Sequence, residues 1–197
     1  MLESVPLENH AEPKTPAQEK TDWKHFLLDL LETVGLAFIL FLIINTLSAR
    51  VRVDGFSMLP TLHDGEFVLV NKLAYRIGSP TRGDIIVFQS TTVKDLDLIK
   101  RVIGLPGDHV VIGGSKVSVN NQTLTEPYIA AAPSYSGDWN VPNGYLFVLG
   151  DNRNDSSDSH VWGFLPIQNV VGKALLIYWP PNEWAMVDHI KVEVPAP

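Results

Sequence analysis

The sequence predicts a mainly β protein: a largely antiparallel sheet, folded over or partly closed into a barrel, behind one N-terminal transmembrane helix. Three observations lead there. A single long apolar run lies near the N-terminus. From Arg50 onward the pattern breaks into short β-type runs. Gly, Pro, Asp and Asn punctuate those runs as turns.

Residues 1–25 are polar, rich in Glu, Pro and Lys and without apolar periodicity, as expected of a flexible tail. Residues 26–47 (FLLDLLETVGLAFILFLIINTL) follow. Their 22 positions make a helix of about 33 Å, enough for a hydrocarbon layer of roughly 30 Å. Asp29 and Glu32 sit near one end, where they can face headgroups at modest cost. Three readings compete: an uncleaved anchor, a cleaved secretory signal and a buried helix of a soluble protein. The long polar leader and the lack of a clean small-x-small site after the run favour the anchor. Lys14, Lys20 and Lys24 precede the segment, whereas Arg50 and Arg52 follow it, so charge asymmetry leaves its orientation open.

Candidate strands are 50–54, 67–71, 84–89, 97–103, 109–112, 116–119, 145–149 and 171–178. Turns fall at Asp64-Gly65, Arg82-Gly83-Asp84, Pro106-Gly107-Asp108, Gly113-Gly114 and Asn120-Asn121. A helical period is confined to 57–62 and 155–160. The stretch 122–143, rich in Pro, Ala and Ser, reads as a short insertion or long loop. Over all 197 residues the net charge is −7, which argues against nucleic acid as a partner. With no cysteine, the chain has neither a thiol nucleophile nor a disulfide framework.

Three local clusters could carry chemistry. In Asp54-Gly55-Phe56-Ser57-Met58-Leu59-Pro60, Gly55 permits a close backbone approach beside a serine; the plain alternative is a serine capping a short helix. In Leu98-Ile99-Lys100-Arg101-Val102-Ile103 a lysine interrupts an apolar strand. On an outer face it would be an ordinary solvated side chain. Buried, it would lose proton affinity. At the usual pKa of about 10.4, roughly 0.04% is free amine at neutral pH; a pKa of roughly 8 raises that to about 10%. The third cluster runs from Gly150-Asp151-Asn152-Arg153 to Ser159-His160. Its spacing is reminiscent of a calcium loop, but Arg153 occupies a ligand position, and a polar turn is the simpler reading. A Ser-His-Asp triad would draw on His63, His109 or His160, all in turn-like surface contexts.

Together the clusters resemble type I signal peptidases, the membrane-bound bacterial leader peptidases. The resemblance covers roughly residues 22–185. It rests on Gly55-x-Ser57-Met58-x-Pro60-Thr61, Arg82-Gly83-Asp84 through Phe88, Lys100-Arg101-Val102-Ile103-Gly104-Leu105-Pro106-Gly107-Asp108, and Gly150-Asp151-Asn152-Arg153 through Ser156-x-Asp158-Ser159 with Trp162-Gly163. Four such boxes in order behind an N-terminal anchor are highly specific.

The resemblance implies that Ser57 is the nucleophile and Lys100 the general base of a Ser-Lys dyad that needs no metal or cofactor. It implies that Ser156 hydrogen-bonds and orients the lysine amine, that Asp158 stabilises its turn, and that Asp151 and Arg153 pair. Val53, Leu62, Leu98 and Ile99 would line shallow pockets for small residues of a signal peptide. The substrates would be exported preproteins cut after Ala-x-Ala-type sequences. Residues 48–197 would form an extracytoplasmic peptidase domain on a single-pass anchor in the bilayer of the cell membrane. The sequence departs from the Gram-negative pattern at Gly55, often serine, so the oxyanion site relies on the Ser57 N–H and another donor near Gly55. It departs also at His160, often arginine, which leaves the partner of Asp158 open, and at Asn154-Asp155, a reversed pair. Two competitors are a relative of the self-cleaving SOS repressors and a catalytically silent membrane-anchored β module. The anchor and the lack of a helix-turn-helix pattern oppose the first; the intact Ser57 and Lys100 oppose the second. Only ten positions separate Leu47 from Ser57, so the nucleophile lies within about 36 Å of the membrane exit.

Overall fold

A computed structural model describes residues 23–190, so positions 1–22 of the tail predicted over 1–25 lie outside the described residues. The chain divides between Phe41 and Leu42 into two units. Helix α1 (Trp23–Leu47) starts three residues before the predicted boundary, and its 25 residues rise about 37 Å. None of its side chains is buried. By length and composition it can cross a membrane.

The remainder is antiparallel β structure. The strands are β1 (Ser48–Arg52), β2 (Phe67–Asn71), β3 (Ile85–Gln89), β4 (Asp97–Gly104), β5 (His109–Gly113), β6 (Lys116–Val119), β7 (Gln122–Thr123), β8 (Gly137–Asn140), β9 (Tyr145–Leu149), β10 (Leu165–Pro166), β11 (Val170–Trp179) and β12 (Ala185–Met186). Two short helices, α2 (Ala74–Ile77) and α3 (Ser159–Trp162), interrupt them. The large sheet is an open, curled half-barrel with strand order β1-β2-β11-β3-β4-β9-β10, and β12 adds to β11. A smaller sheet runs β7-β6-β5-β8. The expected fold class therefore holds, and all eight predicted strands are present. The stretch 122–143 is more ordered than expected: it supplies β7 and β8, with β8 pairing β5 from His109↔Asn140 to Ile112↔Gly137. Of the two helical stretches, 57–61 is a turn and only the second overlaps a helix, α3.

Central strands bury both faces, and period-2 alternation sends their side chains into different clusters. In β3, Ile85 and Val87 pack with Val53, Met58, Leu62, Val68 and Ile177. Ile86 and Phe88 face the opposite way and pack with Val102, Leu146 and Val148. In β9, Phe147 and Leu149 join Ile103, Val110 and Val117 in a third cluster, which ties the small sheet to the large one. The Asn120-Asn121 turn holds φ of 51° and 67°, the left-handed pair that closes a tight hairpin between β6 and β7. This framework places β4, which carries Lys100, at the interior of the large sheet between β3 and β9.

Candidate active site

Ser57 follows β1 on a turn that two segments pin. Val53 N–H donates to Glu66 O at 2.8 Å, and Gly65 N–H donates to Val53 O at 2.9 Å. Gly55 N–H donates to Asp64 Oδ1 at 2.8 Å. Gly55 has φ of +92°, a conformation that a serine there would adopt only with strain. Its N–H is thus committed to Asp64 and unavailable as the second oxyanion donor expected near it.

Lys100 stands opposite Ile86 in the β3–β4 ladder and is only 3% exposed. Its Nζ lies 2.7 Å from Ser57 Oγ and donates to Ile99 O at 3.0 Å. Burial lowers its pKa from the ordinary 10.5 to about 8, while the charges of Asp158 and Asp151 oppose that shift. The plain readings of a solvated lysine and an isolated capping serine therefore do not describe this pair. No histidine hydrogen-bonds Ser57 among the described residues: His63 sits by Glu66, His109 by Asp138 and His160 by Asp158.

The 150–160 turn supports the pair from below. A Cβ on Gly150 would fall 2.4 Å from Ser57 O and 2.3 Å from Ser156 Oγ, so only glycine lets this strand end approach the Ser57 backbone. Asp158, fully buried, accepts from Gly150 N–H at 2.9 Å and stands 2.6 Å from His160 Nδ1. The His160 ring in turn stacks on Tyr135 at 3.9 Å. His160 is therefore the side-chain partner of Asp158 that the sequence leaves open.

Three expectations need correction. Asp151 and Arg153 do not pair through their side chains. Asp151 binds Arg101 of β4 twice, at 2.8 and 2.7 Å, and Arg153 binds Glu126 at 2.9 and 2.6 Å. Each buried ion has found a two-pronged partner on another element, a geometry that a neighbour two positions away does not offer. Ser156 Oγ is buried but makes no hydrogen bond among the described residues, so the expected bond to Lys100 is not formed. The lysine amine is turned instead to Ser57 and the Ile99 carbonyl. Leu62 is wholly buried and is absent from the wall of the cleft beside Ser57 and Lys100.

A cleft of about 190 Å³ opens beside the pair, lined by Arg52, Val53, Asp54, Ser57, Met58, Leu96, Asp97, Leu98, Ile99 and Lys100. Val53, Leu98 and Ile99 are on its wall, together with Met58 and Leu96. Arg101, Glu126 and Tyr128 escaped the sequence reading. Arg101 lies 4.0 Å above the Tyr128 ring as well as against Asp151. A second charged residue inside an apolar strand was the available signal, because buried guanidinium demands a carboxylate. Among the described residues no group of three or more His, Asp or Glu is arranged to hold a metal ion.

The chain matches the family model described as signal peptidase, peptidase S26, over residues 27–179. A signal peptidase I from Leptolyngbya laminosa is 42% identical over 179 residues, covering 86% of this chain and 88% of that protein. A probable signal peptidase I-2 from Synechocystis sp. is 39% identical, covering 91% and 83%. A signal peptidase I from Bacillus caldolyticus is 41% identical, covering 68% and 80%. The crystal structure of a signal peptidase I from Enterococcus faecalis shares 33% identity and aligns with a TM-score of 0.46, over 49% of this chain and 97% of that one. The family model spans most of the chain, and the sequence relatives are 39–42% identical over two thirds or more of it: the chain belongs to the signal peptidase family, peptidase S26, and is a signal peptidase enzyme.

Proposed function

We propose that the chain is a membrane-anchored serine endopeptidase that removes signal peptides from exported preproteins by Ser57–Lys100 acyl-enzyme chemistry. Family membership supports the removal of signal peptides by a type I enzyme. One observation carries the mechanism: a buried lysine amine 2.7 Å from a serine hydroxyl at the mouth of a cleft.

With its pKa near 8, roughly a tenth of Lys100 is neutral at pH 7. The neutral amine takes the Ser57 proton as Oγ attacks the scissile carbonyl. The resulting ammonium returns that proton to the leaving amine as the peptide bond breaks. A water molecule, deprotonated by the same amine, then releases the acyl group from Ser57. Ser156 and Asp158 shape the turn beside the dyad, Asp151 braces Arg101, the neighbour of Lys100, and Arg153 holds the same turn to Glu126.

The substrate lies as an added strand between the end of β1 and the start of β4. Val53, Leu98 and Ile99 give it apolar contact, and the small cleft suits alanine-sized side chains before the cut. Helix α1 anchors the enzyme by a single pass, with the catalytic unit on the extracytoplasmic side. The short chain between Leu47 and Ser57 then keeps the nucleophile near the bilayer, where a preprotein's own apolar segment presents its cleavage site.

Incubation of a purified preprotein with the wild type, Ser57→Ala and Lys100→Ala, followed by sequencing of the product's new N-terminus, tests this reading. Cleavage after a small residue by the wild type alone is expected; cleavage by either folded variant overturns the dyad. A fragment beginning at Ser48 that cut soluble peptides and membrane-inserted preproteins with the full chain's preference would overturn the anchoring argument.

A further inference from the structure

Acyl transfer builds negative charge on the carbonyl oxygen of the scissile bond, and an N–H already aimed at that oxygen stabilises it. The loop around the nucleophile leaves few such donors. Gly55 lacks a hydroxyl, and its N–H is held by Asp64. The Ser57 N–H donates to no group among the described residues and so stays free for substrate.

That N–H belongs to the Phe56–Ser57 peptide unit, whose other end is the Phe56 carbonyl. Because the unit is planar, holding the C=O fixes the direction of the N–H. Phe56 O accepts from Asn152 Nδ2 at 3.1 Å and from Leu59 N–H at 3.2 Å. The next carbonyl, Ser57 O, accepts from Asn152 N–H at 3.0 Å. One residue of the turn after β9 thus grips the carbonyls on both sides of the nucleophile.

Asn152 is itself fixed. Its neighbour Asp151 is locked to Arg101, and its own carbonyl accepts from Asp155 N–H at 3.1 Å. The close approach at Gly150 brings this turn against Ser57 O. Donation into Phe56 C=O also polarises the amide and makes its N–H a better donor.

We propose that Asn152 is the positioning residue of the oxyanion site, orienting the Phe56–Ser57 peptide so that the Ser57 N–H meets the developing negative charge. The inference rests on the Ser57–Lys100 reading above. Asn152 acts through the peptide and contributes no atom to the reaction.

The test uses the full chain in detergent with Asn152→Ala and Asn152→Asp, and Ser57→Ala as control. Asn152→Asp keeps the side chain's shape but sets a carboxylate oxygen against the Phe56 carbonyl. Four quantities are read: kcat and KM on a preprotein, inhibition by a peptide aldehyde whose hemiacetal oxygen occupies the oxyanion position, and melting temperature. Both variants should lose at least about tenfold in kcat. KM and melting temperature should stay near wild type, and aldehyde affinity should fall in parallel with kcat. Unchanged kcat and aldehyde affinity overturn the proposal. So does a kcat loss that tracks melting temperature while aldehyde affinity is retained, or failure of both variants to fold, since each makes Asn152 part of the scaffold. Cleavage by Ser57→Ala would instead sink the dyad itself; an inactive Ser57→Ala beside unaffected Asn152 variants sinks only the role of Asn152.

Discussion

Lys100 Nζ and Ser57 Oγ are 2.7 Å apart although their residues are separated by 43 positions, one in the interior of a sheet and the other on a turn beyond its edge strand. The contact combines a half-buried group with a buried one. Ser57 is partly exposed at the cleft, while Lys100, between β3 and β9, reaches the cleft wall with only 3% of its surface exposed. Exposure leaves the hydroxyl open to the cleft, and burial weakens the amine's hold on its proton. The proposed mechanism rests on that division.

The first consequence is a pH profile. Only the neutral amine can accept the serine proton, and its pKa is lowered to about 8. Cleavage should therefore rise about tenfold per pH unit from pH 6 and level off above a midpoint near 8. Initial rates at subsaturating preprotein would show it. A midpoint near the ordinary 10.5 would mean that the lysine is not desolvated in solution.

The second consequence concerns stability. In the unfolded chain Lys100 holds its proton up to about 10.5, whereas in the folded protein it releases it near 8. Between those values the unfolded state binds more protons, so stability rises with pH across that window. Below about 8 the full cost of burying the charge is present. Lys100→Met removes that cost and should stabilise the protein by on the order of 2 kcal/mol at pH 7. Relative to wild type, the gain should shrink toward pH 10. Urea unfolding at the two pH values measures it; a variant less stable than wild type at pH 7 would be the contrary result.

The Arg101–Asp151 pair lies beside the dyad, and both side chains are wholly buried. Asp151→Asn leaves a guanidinium in the interior without its anion. The expected loss is about 3–5 kcal/mol in urea unfolding, well beyond an exposed ion pair. A loss below about 1 kcal/mol would mean that Arg101 finds charge compensation elsewhere.

Much of this molecule is legible in its sequence because the costs involved are local. Alternating apolar residues between turn formers specify the eight main strands, since each strand must hide one or both faces. Lys100 stands out because a cation in an apolar strand is expensive unless the fold uses it. Long-range pairings are not written locally. Asp151 and Arg153 look like partners in one turn, but their countercharges lie 50 and 27 positions away, at Arg101 and Glu126. Glu126 was hidden in a stretch whose Pro and Ala content suggested a plain loop. The same stretch holds Gly137–Asn140, which becomes a strand by pairing with β5 rather than by its own propensity. Leu62 shows the remaining ambiguity: apolar character suits a core and a substrate pocket equally, and only packing separates them.

The decisive measurement is cleavage of a preprotein by Lys100→Arg across pH 6 to about 10, beside the wild type, with melting temperatures to establish that both are folded. Guanidinium keeps its proton throughout this range. A folded Lys100→Arg should therefore be inactive at every pH, by at least about a thousandfold. Turnover by that variant within about tenfold of wild type would contradict proton abstraction by the amine at position 100.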